Sequence, residues 1–171
     1  TKSDKVDKEI TENFLYDVVE LCKKDSTFKF DTPRTSLARI VLFDQFTRNI
    51  FRGDRKSFYF DGIALINARH ALDKNADDSV PPLQKSFFYM PFMHSEDLGN
   101  QEHCVELFQK AADKHASDED LRKYFMNSHS FAVKHHEIIE KFSRFPHRNE
   151  ILGRESTPEE IEFLKQPGSS F

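Results

Sequence analysis

The chain is predicted to be an all-α domain of about six to seven helices. Three observations carry this. Apolar residues recur at helical spacing along nearly the whole chain. Only 5 Gly and 7 Pro occur in 171 residues, too few for a strand-and-turn architecture. Thr157-Pro158-Glu159-Glu160 reads as cap, proline at the first helical position and glutamate at the third, a capping box that opens a helix.

Each element has its own signal. Ile10, Phe14, Val18 and Leu21 mark a first helix from about Val6 to Lys24, with acids and lysines on its other face. Asp31-Thr32-Pro33 breaks the chain, and a second helix runs from about Thr35 to Phe46 or Asn49. Its centre, Ile40-Val41-Leu42-Phe43, is apolar all round and reads as buried. After the turn at Arg52-Gly53-Asp54, a third helix covers about Lys56 to Asp73. A polar loop spans Asn75 to Pro82, and Pro82 starts a short helix carrying Leu83, Phe87 and Phe88. Pro91 disfavours helical geometry at Met90 and is expected to stop or kink that helix. Leu98 to His115 forms the next helix, with Ser95 or Asp97 as its cap, followed by Asp118 to Phe142 and the helix after Thr157. No linker divides residues 1–171, so they form one domain. The chain begins at Thr1 instead of Met, which leaves room for a native segment ahead of it.

Composition narrows the function. A net charge of -4 argues against a general nucleic-acid surface. No apolar run approaches the ~20 residues of a membrane span, and no signal peptide is visible. Cys22 and Cys104 fit neither a disulfide framework nor a metal spacing; both are expected to pack as small hydrophobes in a reducing compartment. The expected location is cytoplasmic, with an organelle left open. With 18 Phe and no Trp, phenylalanine should fill the core.

The densest chemistry lies at Arg144-Phe145-Pro146-His147-Arg148-Asn149, with Arg154 just beyond. Guanidinium forks beside the start of a helix can clamp a carboxylate or phosphate. Polar residues also interrupt the apolar stripes: His135 on the stripe of Phe131, Ile138 and Phe142; Gln101 on that of Leu98, Val105, Phe108 and Ala112; Asp61 on that of Phe58, Leu65, Ala68 and Leu72; and Asp44 one turn before Arg48 in the buried second helix. Buried alone, each would cost ~1–3 kcal/mol, so partners are required. They find each other, or they find the arginines. Plainer outcomes exist for each: an i,i+4 ion pair for Asp44 and Arg48, a backbone carbonyl for His135, a helix end for Gln101, and forks already filled by Asp44, Asp61 and Glu96. His94, Glu96 and Asp97 open a helix, where acids favour the dipole; His94 and Glu96 could also serve as base or metal ligands. No HExxH, CxxC, GxSxG or glycine-rich phosphate loop is present, so no metal and no cofactor is expected.

Three long stretches together resemble a known family. They are Leu37 through Gly53, Tyr89 through Leu98 with Gln101, and His135 through Asn149 with Leu152-Gly153-Arg154 and Ser156 through Glu160. The chain resembles the bacterial domain-of-unknown-function family numbered nine-two-four. The resemblance implies an all-α, tetratricopeptide-like array with helices in antiparallel pairs, and no established activity, cofactor or catalytic residues. Phe30 stands where that family commonly has Trp, and Ser143 where Gly is usual.

The expected function is binding of a small anionic ligand or a peptide carboxylate. The candidate site residues are Asp44, Arg48, Asn49, His94, Glu96, Gln101, His135, Arg144, His147, Arg148, Asn149 and Arg154. Partners are a small anion or a peptide, with no nucleic acid and no membrane. Two alternatives stand beside this. One is an enzyme in which His94, His135 and His147 move protons while Arg48, Arg144 and Arg148 hold an anionic substrate. The other is a polar network that only fixes packing, with a protein-interaction surface elsewhere.

Overall fold

The computed structural model describes residues 3–23 and 32–170; Lys24, Phe30 and Asp31 lie outside them. Every regular element among these residues is helical. Six are helices of eight residues or more: α1 (Asp4–Lys23), α2 (Pro33–Ile40), α4 (Asp61–Leu72), α5 (Pro82–Met93), α6 (Leu98–Lys114) and α7 (Glu119–Phe142). Three are short: α3 (Thr47–Ile50), α8 (Asn149–Leu152) and α9 (Pro158–Leu164).

Sequence signals set the helix starts. Thr32, Asp97 and Asp118 cap α2, α6 and α7 through their side chains. Thr157 and Glu160 form the reciprocal capping box of α9. Two stretches depart from α geometry. Between α2 and α3 the chain widens into a π-helical segment, Val41–Phe46, so the expected second helix is three pieces. The third expected helix begins only at Asp61, because Arg55–Phe58 is a separate 3₁₀ turn capped by Asp54.

Pro91 does not end α5: of the stop or kink expected there, the stop does not occur, and the helix runs on to Met93. Interior proline removes one backbone bond. Here burial of Phe92 and Met93 favours continuing, and the exposed carbonyls are claimed from outside. The Gln101 side-chain amide donates to Met93 O at 2.7 Å and Ser95 O at 2.6 Å.

The main core lies between α4, α5, α6 and α7. Small residues Ala68, Ala71, Ala111, Ala112 and Ala132 let the helices approach, while Phe88, Phe92, Phe108 and Phe125 fill the space. The α6 and α7 pair is the most extensive, an antiparallel hairpin compatible with a tetratricopeptide-like array. α1 packs on the π segment through Phe14, Val18 and Leu21, with Phe14 and Phe46 at 4.6 Å between ring centroids. A third cluster of Ile138, Ile139 and Phe145 seats the C-terminal segment.

Three expectations about burial are corrected. Phe131 is 53% exposed and Leu98 40% exposed, so both sit on the shoulders of their stripes. Cys22 is exposed, whereas Cys104 is buried as expected. Replacing Phe88 by Ala should cost about 3–5 kcal/mol in urea denaturation. Phe131→Ala should change stability by less than about 0.5 kcal/mol. Equal costs would contradict this division between core and surface.

Candidate functional site

The site is built where the two irregular stretches meet. The π segment turns Asp44 wholly inward, and its Oδ1 lies 2.7 Å from Nδ1 of His94, the residue that ends α5. Gln45 donates its amide to the other Asp44 oxygen. Burial by itself raises the Asp44 carboxyl, but His94 and Arg48 overcome it and hold the group below its ordinary range. Asp44 is thus an ionised acceptor. It holds a proton on Nδ1 of His94 and turns Nε2 away from itself.

Beside this pair, Asp61 at the start of α4 joins two arginines. Arg48 Nη2 donates to Asp61 Oδ1 at 3.0 Å and Oδ2 at 3.1 Å. Arg148 Nη1 reaches Asp61 Oδ2 at 3.5 Å and the His94 carbonyl at 3.1 Å. Burial pushes the Asp61 carboxyl up despite both guanidiniums. Arg48 to Asp44, the expected i,i+4 pair, is the looser contact at 4.0 Å.

Arg148 is 7% exposed and stacks between Phe58 and Phe145, at 4.7 Å and 4.4 Å from their centroids. Burial, aided by Arg48, draws its pKa down to about 10, which leaves it charged at neutral pH. Among the described residues nothing accepts from its Nε or Nη2. These groups wall a cleft of about 310 Å³. Asp61, His94, Ser95, Glu96 and Arg148 make the polar side, and Phe58, Tyr59, Leu65, Pro91 and Leu152 the apolar side. Tyr59 also borders a neighbouring depression that contains His147, Arg55 and Lys56.

The other arginines are closed. Arg154 grips Glu96 with two bonds of 2.6 and 2.9 Å, and the Phe145 amide adds a third to the same carboxylate. Glu96 is held below its usual range: Arg154 and the Phe145 amide outweigh the larger single effect of burial, which acts the other way. Arg144 grips Glu160 at 2.6 and 2.7 Å. Arg144, then the Thr157 amide, keep the Glu160 carboxyl at about 2 against the opposing effect of burial. Asn149 ties the two pairs together, donating to Glu160 at 3.2 Å and accepting from Arg154 at 2.9 Å. Glu160 is the partner that sequence reasoning missed as a fork occupant. The Glu of the capping box was the available signal, because its carboxylate faces back toward the Arg144 segment.

Of the expected site residues, His94, Glu96 and Arg148 line the cleft; Asp44 and Arg48 stand behind them, Asp44 on His94 and Arg48 sharing Asp61 with Arg148. Arg144, Asn149 and Arg154 form the clamp behind it. Asn49 faces α1, donating to Asp7 at 2.8 Å. Gln101 serves the end of α5. His135 bonds the Phe131 carbonyl at 2.8 Å and packs edge-on against Phe145. His147 belongs to the adjoining depression. No group of three or more His, Cys, Asp or Glu that could hold a metal occurs among the described residues. No helix among them is long and apolar enough to cross a membrane.

A family described as "Bacterial protein of unknown function (DUF924)" matches residues 1–168. The chain belongs to that family. A solved structure, "Structure of Protein of Unknown Function ATU0120 from Agrobacterium tumefaciens", is 32% identical. The alignment covers 96% of this chain and 86% of that one, with a TM-score of 0.80. No curated protein matches.

Burial drives His135 to about 3 and His147 to about 4 from 6.5, assisted at His147 by Arg148. The unfolded chain therefore binds protons at these imidazoles that the folded chain refuses. Their stabilising contribution is complete above about pH 6.5 and is lost as pH falls toward 4. The urea midpoint should drop between pH 7.5 and pH 5, and His135→Gln should reduce that drop. An unchanged midpoint in the parent protein would show that folding does not shift these imidazoles.

Proposed function

We propose that the protein binds a small organic acid, its carboxylate at Arg148 and its apolar body against Phe58, Tyr59 and Leu65. One observation carries the reading: a buried, charged guanidinium whose Nη2 is uncommitted among the described residues stands on the wall of a cleft of about 310 Å³. That volume lies at the small end of ligand sites, and one apolar wall facing a few polar groups is their usual make-up. Arg144 and Arg154 each have a carboxylate in the fork, so neither offers a vacancy. The rings of Phe58 and Phe145 fix the plane of the Arg148 guanidinium before any ligand arrives, which lowers the ordering cost of binding. A peptide C-terminus is the same chemistry in a longer molecule, with the depression beyond Tyr59 as the path for its body.

Benzoate and benzamide separate charge recognition from filling of space. Benzoate should raise the thermal midpoint with concentration as ln(1 + [L]/Kd), reaching about 2.7 kcal/mol of stabilisation at a hundredfold excess over Kd. Benzamide should do little. Arg148→Lys keeps a charge but loses the fork, and should weaken benzoate about tenfold or more. Equal shifts from the acid and the amide, or none from either at millimolar concentration, would remove the organic-acid reading.

A further inference from the structure

With the His94 ring uncharged, fixed charge in and just behind the cleft wall balances before any ligand enters. Arg48 and Arg148 are matched by Asp44 and Asp61, and Glu96 is matched by Arg154. A carboxylate arriving at Arg148 therefore adds a negative charge next to Asp61 and Glu96, in a partly desolvated space where like charges repel strongly. Something must compensate it.

We propose that the cleft takes up its organic acid together with one proton, which lodges on Nε2 of His94; the inference rests on the organic-acid reading above. Geometry favours this atom. Asp44 holds the opposite edge of the ring at 2.7 Å, and that bond survives protonation, because Nδ1 carries its hydrogen in both states. Among the described residues nothing bonds Nε2, and the ring lines the cleft beside Arg148. Protonated, Nε2 becomes a second donor to the ligand carboxylate, and the Asp44–His94 pair becomes an ion pair. The Asp44 carboxylate is what makes the imidazolium tolerable inside the protein.

Most groups facing His94 are poorer acceptors of that proton. Asp44 in the π segment is held ionised by its partners, and Arg48 on α3 is a cation. Glu96, next along the chain, is locked by Arg154. Arg148 is a cation, and His135 on α7 is bonded through Nδ1 to a carbonyl in an apolar wall. α6 presents Asn100 and Gln101 near this turn, and neither titrates. Asp61 on α4 is the one serious competitor, since it lines the same cleft and can accept a proton.

Isothermal titration of the whole chain with benzoate, in Tris and in triethanolamine at pH 8, reads the proton count from the difference in heats. The expected count is about one proton taken up per benzoate, and Kd should rise about tenfold per pH unit across the range in which uptake is seen. Asp61→Asn would leave a guanidinium in surplus and change the charge balance itself, so the proton's seat is read at His94. His94→Gln, which retains a donor toward Asp44, should bind more weakly and without proton uptake. Benzoate binding with no proton exchanged and a flat Kd overturns this inference while leaving the organic-acid site intact. Persistence of uptake in His94→Gln assigns the proton to Asp61 and overturns it equally. No heat of binding in the parent protein removes the site itself, and this inference with it.

Discussion

A guanidinium inside the protein is the constraint around which the C-terminal half is organised. Arg148 cannot shed its charge at neutral pH, and a lone buried cation would cost several kcal/mol. Its surroundings answer that demand in four ways: the Asp61 carboxylate, the His94 carbonyl, and the rings of Phe58 and Phe145. Those partners come from α4, the end of α5, the 3₁₀ turn before α4 and the segment after α7. Holding Arg148 therefore holds four parts of the chain in register.

The arginines of the C-terminal segment have been given different tasks. Arg144 and Arg154 act as fasteners. Each spans a carboxylate with two short bonds, and Asn149 couples the two pairs into one network. Truncating one member would strand the remaining charge, which is why such pairs resist substitution even where their net contribution is small. Arg148 is only partly engaged, and it alone of the three lines the cleft. Chemically similar residues a few positions apart are thus separated into scaffold and site by whether a carboxylate fills the fork.

Both local departures from α geometry also converge here. The π segment carries Asp44, and the helix that passes through Pro91 ends on His94. π turns inside helices are frequent at functional sites because the added residue re-aims side chains. The proline costs α5 a backbone bond, and Gln101 separately satisfies the carbonyls at the helix end. The resulting Asp44–His94 contact joins two residues 50 positions apart in sequence.

Much of the fold was legible in the chain itself. Apolar spacing and caps are local properties, so the helices, Thr157 with Glu160, and buried Asp44, Gln101 and His135 could all be read directly. Asp61, Gln101 and His135 looked alike as polar residues on apolar stripes. Yet only Asp61 meets the arginines, while Gln101 and His135 have backbone carbonyls among their partners. Continuation through Pro91 and the claim of Glu160 on Arg144 were likewise hidden. Each turns on free energies between groups brought together by packing, where distances of 3 to 4 Å separate a filled fork from an open one. Periodicity along the chain determines which side chains point inward; only the packed helices decide which of those charges meet.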